Sequence, residues 1–94
     1  MATFFMFGRY TTESIKKISA ERTQQAVDEI RKMGGEVNAM HVLLGQYDLV
    51  LIVELPTMTD AMKAAVALGR ETGISFCTAP AMTVAEFDRL AGEI

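Results

Sequence analysis

Residues 36–55 read EVNAMHVLLGQYDLVLIVEL. The first part mixes alternating polarity with β-branched residues, and the last seven residues are nearly all apolar. The two runs have the length of strands rather than helices, and the turn-forming residues GQYD at 45–48 separate them. This segment therefore predicts a β-hairpin, with one strand over 36–44 and another over 49–55 that ends at Pro56.

Upstream of the hairpin, the sequence predicts one strand and one helix. Residues 3–10 (TFFMFGRY) are rich in aromatic residues and too few for a stable helix, so they are interpreted as the first strand. Residues 20–33 carry apolar side chains at three- and four-residue spacings and stop at Gly34-Gly35, which is typical of a helix end. Thr12 or Ser14 is expected to cap a short helical turn before the main helix.

Downstream, a second helix is predicted from a cap at Thr57 or Thr59 to about Glu71. A fourth strand over 74–79 follows, closed by Pro80, and then a short last helix capped by Thr83. The order strand, helix, strand, strand, helix, strand predicts a single α+β domain over residues 1–94. Its pattern is the ferredoxin-like βαββαβ sandwich, with a four-stranded antiparallel sheet, strands one and three central, and an extra C-terminal helix.

Both faces of the two central strands are predicted to be apolar. In such a fold the two crossover helices cover the same face of the sheet, so the other face should be polar in a monomer. Instead, alternate positions are apolar on both sides: Phe4 and Met6 against Phe5 and Phe7 in strand one, and Leu49, Leu51, Val53 and Leu55 against Val50 and Ile52 in strand three. We therefore expect a homodimer or higher homo-oligomer formed through the open sheet face, and a chain that is stable only in that form.

Composition narrows the class of partner. The chain has a formal net charge of -3, which disfavours nucleic acid and anionic membranes as partners. The apolar run at residues 4–7 is too short for a signal peptide or a membrane span, so a cytoplasmic location is expected. The single cysteine, Cys77, cannot form an intrachain disulfide and is expected to be a free, buried thiol.

The hairpin carries a resemblance to a known family. The run LLGQYDLV at 43–50, followed by an apolar strand that ends in Glu54 and Pro56, resembles the GYD domain, whose name corresponds here to Gly45, Tyr47 and Asp48. The similarity extends over nearly the whole chain. It implies a member of the dimeric α/β-barrel group, in which ferredoxin-like subunits pair by their sheets, and it implies no particular reaction.

His41 is the only candidate for a catalytic group. Because it is the only histidine, one subunit cannot hold a metal site or a triad that needs several imidazoles, and no metal or other cofactor is predicted. On strand two it shares a parity with Val37 and Ala39. It is interpreted either as a structural, hydrogen-bonded histidine or as a general base or haem ligand between subunits.

Four further residues are candidates for ligand binding together with His41. Strands one and three are predicted to be antiparallel neighbours, so the end of one lies near the start of the other. Arg9 and Tyr10 are thereby expected near Tyr47 and Asp48, at the mouth of a pocket. The alternative for Tyr47 and Asp48 is a purely architectural role in the turn.

The sequence supports two functional hypotheses. The first is a small-molecule-binding or assembly module without catalysis, since no catalytic constellation is visible and His41 stands alone. The alternative is a cofactor-independent or haem-dependent monooxygenase or isomerase, a chemistry that dimeric α/β barrels often host. That alternative depends on analogy at the level of the fold.

Overall fold

The structure, a computed structural model, describes residues 1–94 as a four-stranded antiparallel sheet with its two longest helices packed on one face. The strands are ordered β2-β3-β1-β4, so strands one and three are central, as predicted. The ferredoxin-like α+β fold is thus confirmed. Its elements are β1 (Ala2–Arg9), α1 (Thr12–Ile15), α2 (Ala20–Lys32), β2 (Glu36–Val42), β3 (Leu49–Leu55), α3 (Met58–Thr72), β4 (Ser75–Ala81) and α4 (Val84–Gly92).

Polar caps determine where the helices begin. The Oγ of Ser19 accepts the backbone N–H of Arg22 at 3.1 Å and starts α2, and Thr57 starts α3 in the same way. The short α1 is capped by Thr11, and not by Thr12 or Ser14 as predicted, because Thr11 and Ser14 form a reciprocal capping box. Helix α3 ends at Gly73 as expected. None of the helices is both long enough and apolar enough to cross a bilayer.

The core lies between one face of the sheet and the helices α2 and α3. On this covered face Phe4 and Met6 of β1 and Leu51, Val53 and Leu55 of β3 are at most 2% exposed, and Leu49 is partly buried. They pack with apolar residues of the two helices, and the small alanines of α3 let that helix lie close to the sheet. The core cluster consists of Phe4, Met6, Ala26, Ile30, Leu51, Val53, Leu55, Ala61, Ala64 and Leu68.

Three features of the edge strands differ from the prediction. Strand β4 does not end at Pro80 but continues to Ala81. Proline has no backbone N–H to donate, but β4 is an edge strand that bonds only to its single neighbour β1, so it tolerates a proline. Cys77 is exposed and not buried, since it lies on β4 opposite Phe7, on the face without helices. The register of β2 shifts between Val37 and Ala39, so these two residues do not share a face.

The second face of the sheet, here called the open face, has no covering element. The register places Phe5 and Phe7 of β1 there, next to Val50 and Ile52 of β3. Helices α2 and α3 pack on the other side, and α4 has no buried residue. The prediction that the central strands are apolar on both faces is therefore confirmed.

Candidate functional site

The open face has two chemically different ends. At one end, here called the Tyr47 end, lie Phe7, Arg9, Tyr47 and Cys77. At the opposite end, here called the α4 end, lie Thr3, Ile52 and Glu54 together with the start of α4. Each end combines apolar and charged groups, but the charge is positive at the Tyr47 end and negative at the α4 end.

At the Tyr47 end, an aromatic ring and a cation are stacked on the sheet. The ring centroid of Tyr47 lies 5.1 Å from that of Phe7, which in turn lies 6.2 Å from that of Phe5. The Cζ atom of Arg9 lies 5.2 Å from the Tyr47 centroid, within the range of a cation–π interaction. The guanidinium forms no ion pair with a carboxylate of the chain.

The Cys77 thiol is the neighbour that most affects the Tyr47 hydroxyl. The pKa of Tyr47 is raised above its ordinary value, first by a side-chain hydrogen bond with Cys77 and then by the charge that the thiol would carry. The Arg9 guanidinium acts in the opposite direction and lowers it. The phenol therefore stays protonated at neutral pH, and its single O–H can turn from the thiol, a weak acceptor, to a ligand that accepts more strongly.

Asp48 ties the hairpin to the end of β1. Its Oδ2 atom accepts the backbone N–H of Tyr10 at 2.8 Å, and its own N–H donates to the carbonyl oxygen of Gly8 at 2.8 Å. Gly45 has φ of 152°, a backbone conformation that side chains disfavour. Each residue of the family signature thus has a structural role, since Gly45 forms the turn, Tyr47 joins the aromatic stack and Asp48 makes the tie to β1.

Replacing Asp48 by Ala should destabilise the domain by about 1–3 kcal/mol, because a partly buried backbone N–H then has no acceptor. Asp48→Asn keeps an acceptor oxygen in place and should cost less than half as much. Urea denaturation at pH 7 measures both values. If the two variants are equally unstable, the hydrogen bond from Tyr10 is not the source of the contribution of Asp48 to stability.

The structure separates the five predicted site residues. Arg9 and Tyr47 meet on the open face. His41 is on the same face, opposite Val50, but on the exposed edge strand β2. Because of the register shift in β2, Val37 lies on the other face of the sheet and not beside His41. Asp48 contacts Tyr10 only through the backbone of Tyr10.

Tyr10 belongs to the other side of the sheet. Its ring lies 5.8 Å from the Cζ atom of Arg22, and it lines a cavity of about 60 Å³ with Ala26 of α2 and Leu68 of α3. The side chain is thus directed away from the other candidates. The candidate site therefore contains Arg9, Tyr47 and His41, but not the side chain of Tyr10.

Two residues of the Tyr47 end were not singled out from the sequence. Phe7 has the same parity as Arg9 in β1, which was visible in the sequence. Cys77 lies opposite Phe7 in the register of β1 and β4. The register between two strands that are far apart in the sequence sets this position, and the sequence alone does not show that register.

At the α4 end, the open face continues into a concavity of about 720 Å³. Phe5 and Ile52 form its apolar floor, and Met82 and Glu86 at the start of α4 form a wall. The carboxylate of Glu54 also lines it and accepts a hydrogen bond from the Nδ2 atom of Asn38 at 2.9 Å.

Two neighbouring carboxylates lie away from the open face, between α2 and α3. The pKa of Glu71 is raised, first by desolvation and then by the neighbouring carboxylate of Glu29. Both carboxylates line a polar surface depression that has no apolar wall. No three His, Cys, Asp or Glu side chains of the chain are grouped so that they could hold a metal ion.

Comparison with known families gives one clear match. The model of the GYD domain family matches residues 4–91, which is nearly the whole chain and includes every residue of the Tyr47 end. Among curated proteins, no significant match is found.

Solved structures share the fold. The leucine response regulatory protein LrpA of Mycobacterium tuberculosis superposes with a TM-score of 0.58 at 8% identity; the match covers 88% of this chain and 51% of that one. The chain thus spans about half the length of that relative. A hypothetical protein from Pyrococcus horikoshii superposes with a TM-score of 0.53 at 24% identity, over 88% of this chain and 92% of its own. At these identities the likeness concerns the fold alone.

Proposed function

Since the chain belongs to the GYD domain family, we propose that it works as a self-assembling module that binds a small molecule between paired sheets and carries out no catalysis itself. One observation supports this proposal above all: the open face is apolar across both central strands, and no helix of the chain covers it. Only the Tyr47 ring packs on it, and of its apolar residues Val50 is buried while Phe5, Phe7 and Ile52 are half-buried. A patch of this kind normally marks an interface in a soluble domain.

The free energy available from pairing is large relative to the stability of a small domain. If each copy buries about 600 Å² of apolar surface, the transfer free energy is on the order of 15 kcal/mol for each copy, or about 30 kcal/mol for the pair. Association costs roughly 4–15 kcal/mol, so the balance allows a stable pair. Face-to-face packing of two sheets is one of the standard arrangements for such surfaces.

The Tyr47 end supplies the polar part of the proposed binding site. Arg9 offers a cation without a carboxylate partner, and the protonated Tyr47 phenol offers a donor. Phe5, Phe7 and Ile52 supply the apolar floor. A ligand with an apolar body and an anionic or hydrogen-bonding head group fits this combination.

Sedimentation equilibrium at protein concentrations from about 0.1 to about 100 µM, a range that brackets ordinary dimer affinities, tests the assembly. The expected result is a mass of at least two chains at the upper concentrations. A single folded chain throughout would refute the proposal.

A thermal-shift screen tests ligand binding, with benzoate and decanoate as first probes because each joins an apolar body to a carboxylate. A ligand that binds only the folded state raises Tm with concentration. The rise should disappear in Arg9→Ala and persist in Arg70→Ala, which removes an exposed arginine on α3. Equal shifts in both variants would place binding elsewhere.

A further inference from the structure

Helix α4 is an amphipathic helix with no partner surface. Its apolar residues remain exposed: Val84 by 77%, Phe87 by 56% and Leu90 by 46%. Nine residues are too few for a helix to be stable in water by itself. The helix also stands away from the body, since none of its residues is buried and no other element packs closely against it. The radius of gyration of 14.2 Å, against about 12 Å for a compact chain of this length, agrees with such a protruding element.

Helix α4 begins next to the open face. Residues Met82, Thr83 and Glu86 line the same concavity as Phe5 and Ile52, so the helix leaves the sheet on the side that is proposed to pair. The same chain has an apolar groove of about 280 Å³ between α3 and β4, lined by Met62 and Phe76. That groove is on the opposite side of the sheet, so α4 does not pack in it.

The two ends of the open face complement each other. The α4 end has an apolar helix face together with the carboxylates of Glu54 and Glu86. The Tyr47 end has the unpaired cation of Arg9, the aromatic ring of Tyr47 and, in the adjoining loop, the fully exposed Leu44. Each end lacks what the other end supplies.

From this complementarity we infer that α4 of each copy packs over the Tyr47 end of the other copy's open face, with Glu86 next to the partner's Arg9. The five N–H donors of the guanidinium let Arg9 hold this carboxylate and a ligand's head group at the same time. This inference rests on the proposed sheet-to-sheet pairing. A two-fold axis that crosses the strands brings opposite ends together and makes both contacts at once. An axis along the strands would instead place Arg9 against Arg9 and Glu86 against Glu86, which like charges oppose.

The interface area supports the same arrangement. Four strands of about seven residues, at spacings of about 4.8 Å between strands and 3.3 Å along them, present a face of only about 440 Å² in projection. The accessible area of such a face exceeds its projection and agrees with about 600 Å² buried per copy, which is still below the about 800 Å² per partner that a stable interface usually buries. Contacts of α4, which is about 13 Å long, enlarge the interface and would close the Tyr47 end of the binding site.

A double-mutant cycle on the dimer tests the charge contact. Arg9→Glu and Glu86→Arg should each raise the dimer Kd by about five- to tenfold, since each places like charges together. The combination of both should return the Kd to within about threefold of the unmodified protein. The cycle cancels the single-site costs, such as loss of the Arg9–Tyr47 stack. If the increase in Kd of the double variant equals the product of the increases in the two single variants, Arg9 and Glu86 do not contact each other.

A matched pair of substitutions tests the apolar contact. Phe87→Asp should raise the dimer Kd by about tenfold or more, because it places a charge in the interface. Ala85→Asp adds the same charge on the opposite face of α4, where it should change the Kd less than about twofold. Neither residue is buried within the chain, so the fold should tolerate both changes. Equal Kd values for the two variants would overturn the inference.

Hydrogen exchange of residues 83–92 separates this inference from the proposed pairing. Protection should rise with protein concentration and disappear in Ile52→Asp, which disrupts the sheet contact. Protection that persists in a monomeric Ile52→Asp protein would show that α4 packs on its own chain and would refute the inference, while the sheet pairing stands. An Ile52→Asp protein that is still dimeric would refute the pairing itself.

Discussion

Ile52→Asp is expected to convert the assembly into single chains at micromolar concentration. Ile52 lies on the central strand β3 of the open face, between Phe5 of β1 and Ala39 of β2. In a pair of sheets, both copies would bury the new carboxylate, and each burial costs several kcal/mol. A total loss of about 4 kcal/mol or more raises the dimer Kd by at least about a thousandfold.

The control is Val66→Asp, which adds the same charge to an apolar residue that is 54% exposed on α3. Because Val66 lies on the helix side of the sheet, this variant should remain an oligomer. Sedimentation velocity measures both proteins under identical conditions. An oligomeric Ile52→Asp protein, or a monomeric Val66→Asp protein, would contradict the proposed interface.

The unmodified protein supplies an independent measurement, which is needed if pairing is required for folding and the Ile52→Asp chain does not fold by itself. When folding and association are coupled, Tm rises with protein concentration. We expect such a rise between about 1 and about 100 µM, since the proposed pairing contributes a large share of the total stability. A Tm independent of concentration would mean that a single chain folds stably without a partner.

The order of the elements could be predicted because local signals agree with the fold. Ser19, Thr57 and Gly73 have the capping roles that their residue types favour, and the apolar runs of β1 and β3 have the length of strands. The apolar character of both faces followed from the same runs, since side chains alternate along a strand.

The composition of the candidate site could not be predicted to the same depth, because it depends on register. A shift of one residue in β2 separates Val37 from Ala39 and His41, and nothing local marks Asn38 as the point where it occurs. The extension of β4 through Pro80 likewise depends on its place at the edge of the sheet. The exposure of Cys77 next to Tyr47 is a consequence of that tertiary placement.

Gly34 and Gly35, which connect α2 to β2, are required for two different reasons. Gly34 has φ of 82°, in the left-handed region, and a Cβ atom there would meet nothing closer than Pro56 at 3.5 Å. Gly35 is buried, and a Cβ atom there would collide with the carbonyl oxygen of Glu54 and lie 2.6 Å from the Cδ2 atom of Leu55. The first glycine is needed for its backbone conformation, and the second for space.

Gly35→Ala is therefore expected to destabilise the domain by about 3 kcal/mol, at the upper end for overpacking, since a backbone carbonyl cannot move aside cheaply. For a domain of this size the loss corresponds to a fall in Tm of roughly 12–24 °C. Gly34→Ala should cost only about 1–2 kcal/mol, the cost of a left-handed conformation. Thermal unfolding followed by far-UV circular dichroism, at one protein concentration, measures both variants.

Gly69→Ala provides the control with the opposite sign. Gly69 is inside α3, where its Cβ atom would lie 3.6 Å from the carbonyl oxygen of Ile74, an ordinary contact. Because alanine favours the helix, this variant should gain about 0.5–1 kcal/mol. The same chemical change is thus expected to be strongly unfavourable, moderately unfavourable and favourable at three positions. If Gly35→Ala is no worse than Gly34→Ala, then the close approach of β3 to the end of α2 does not limit the packing of the sheet.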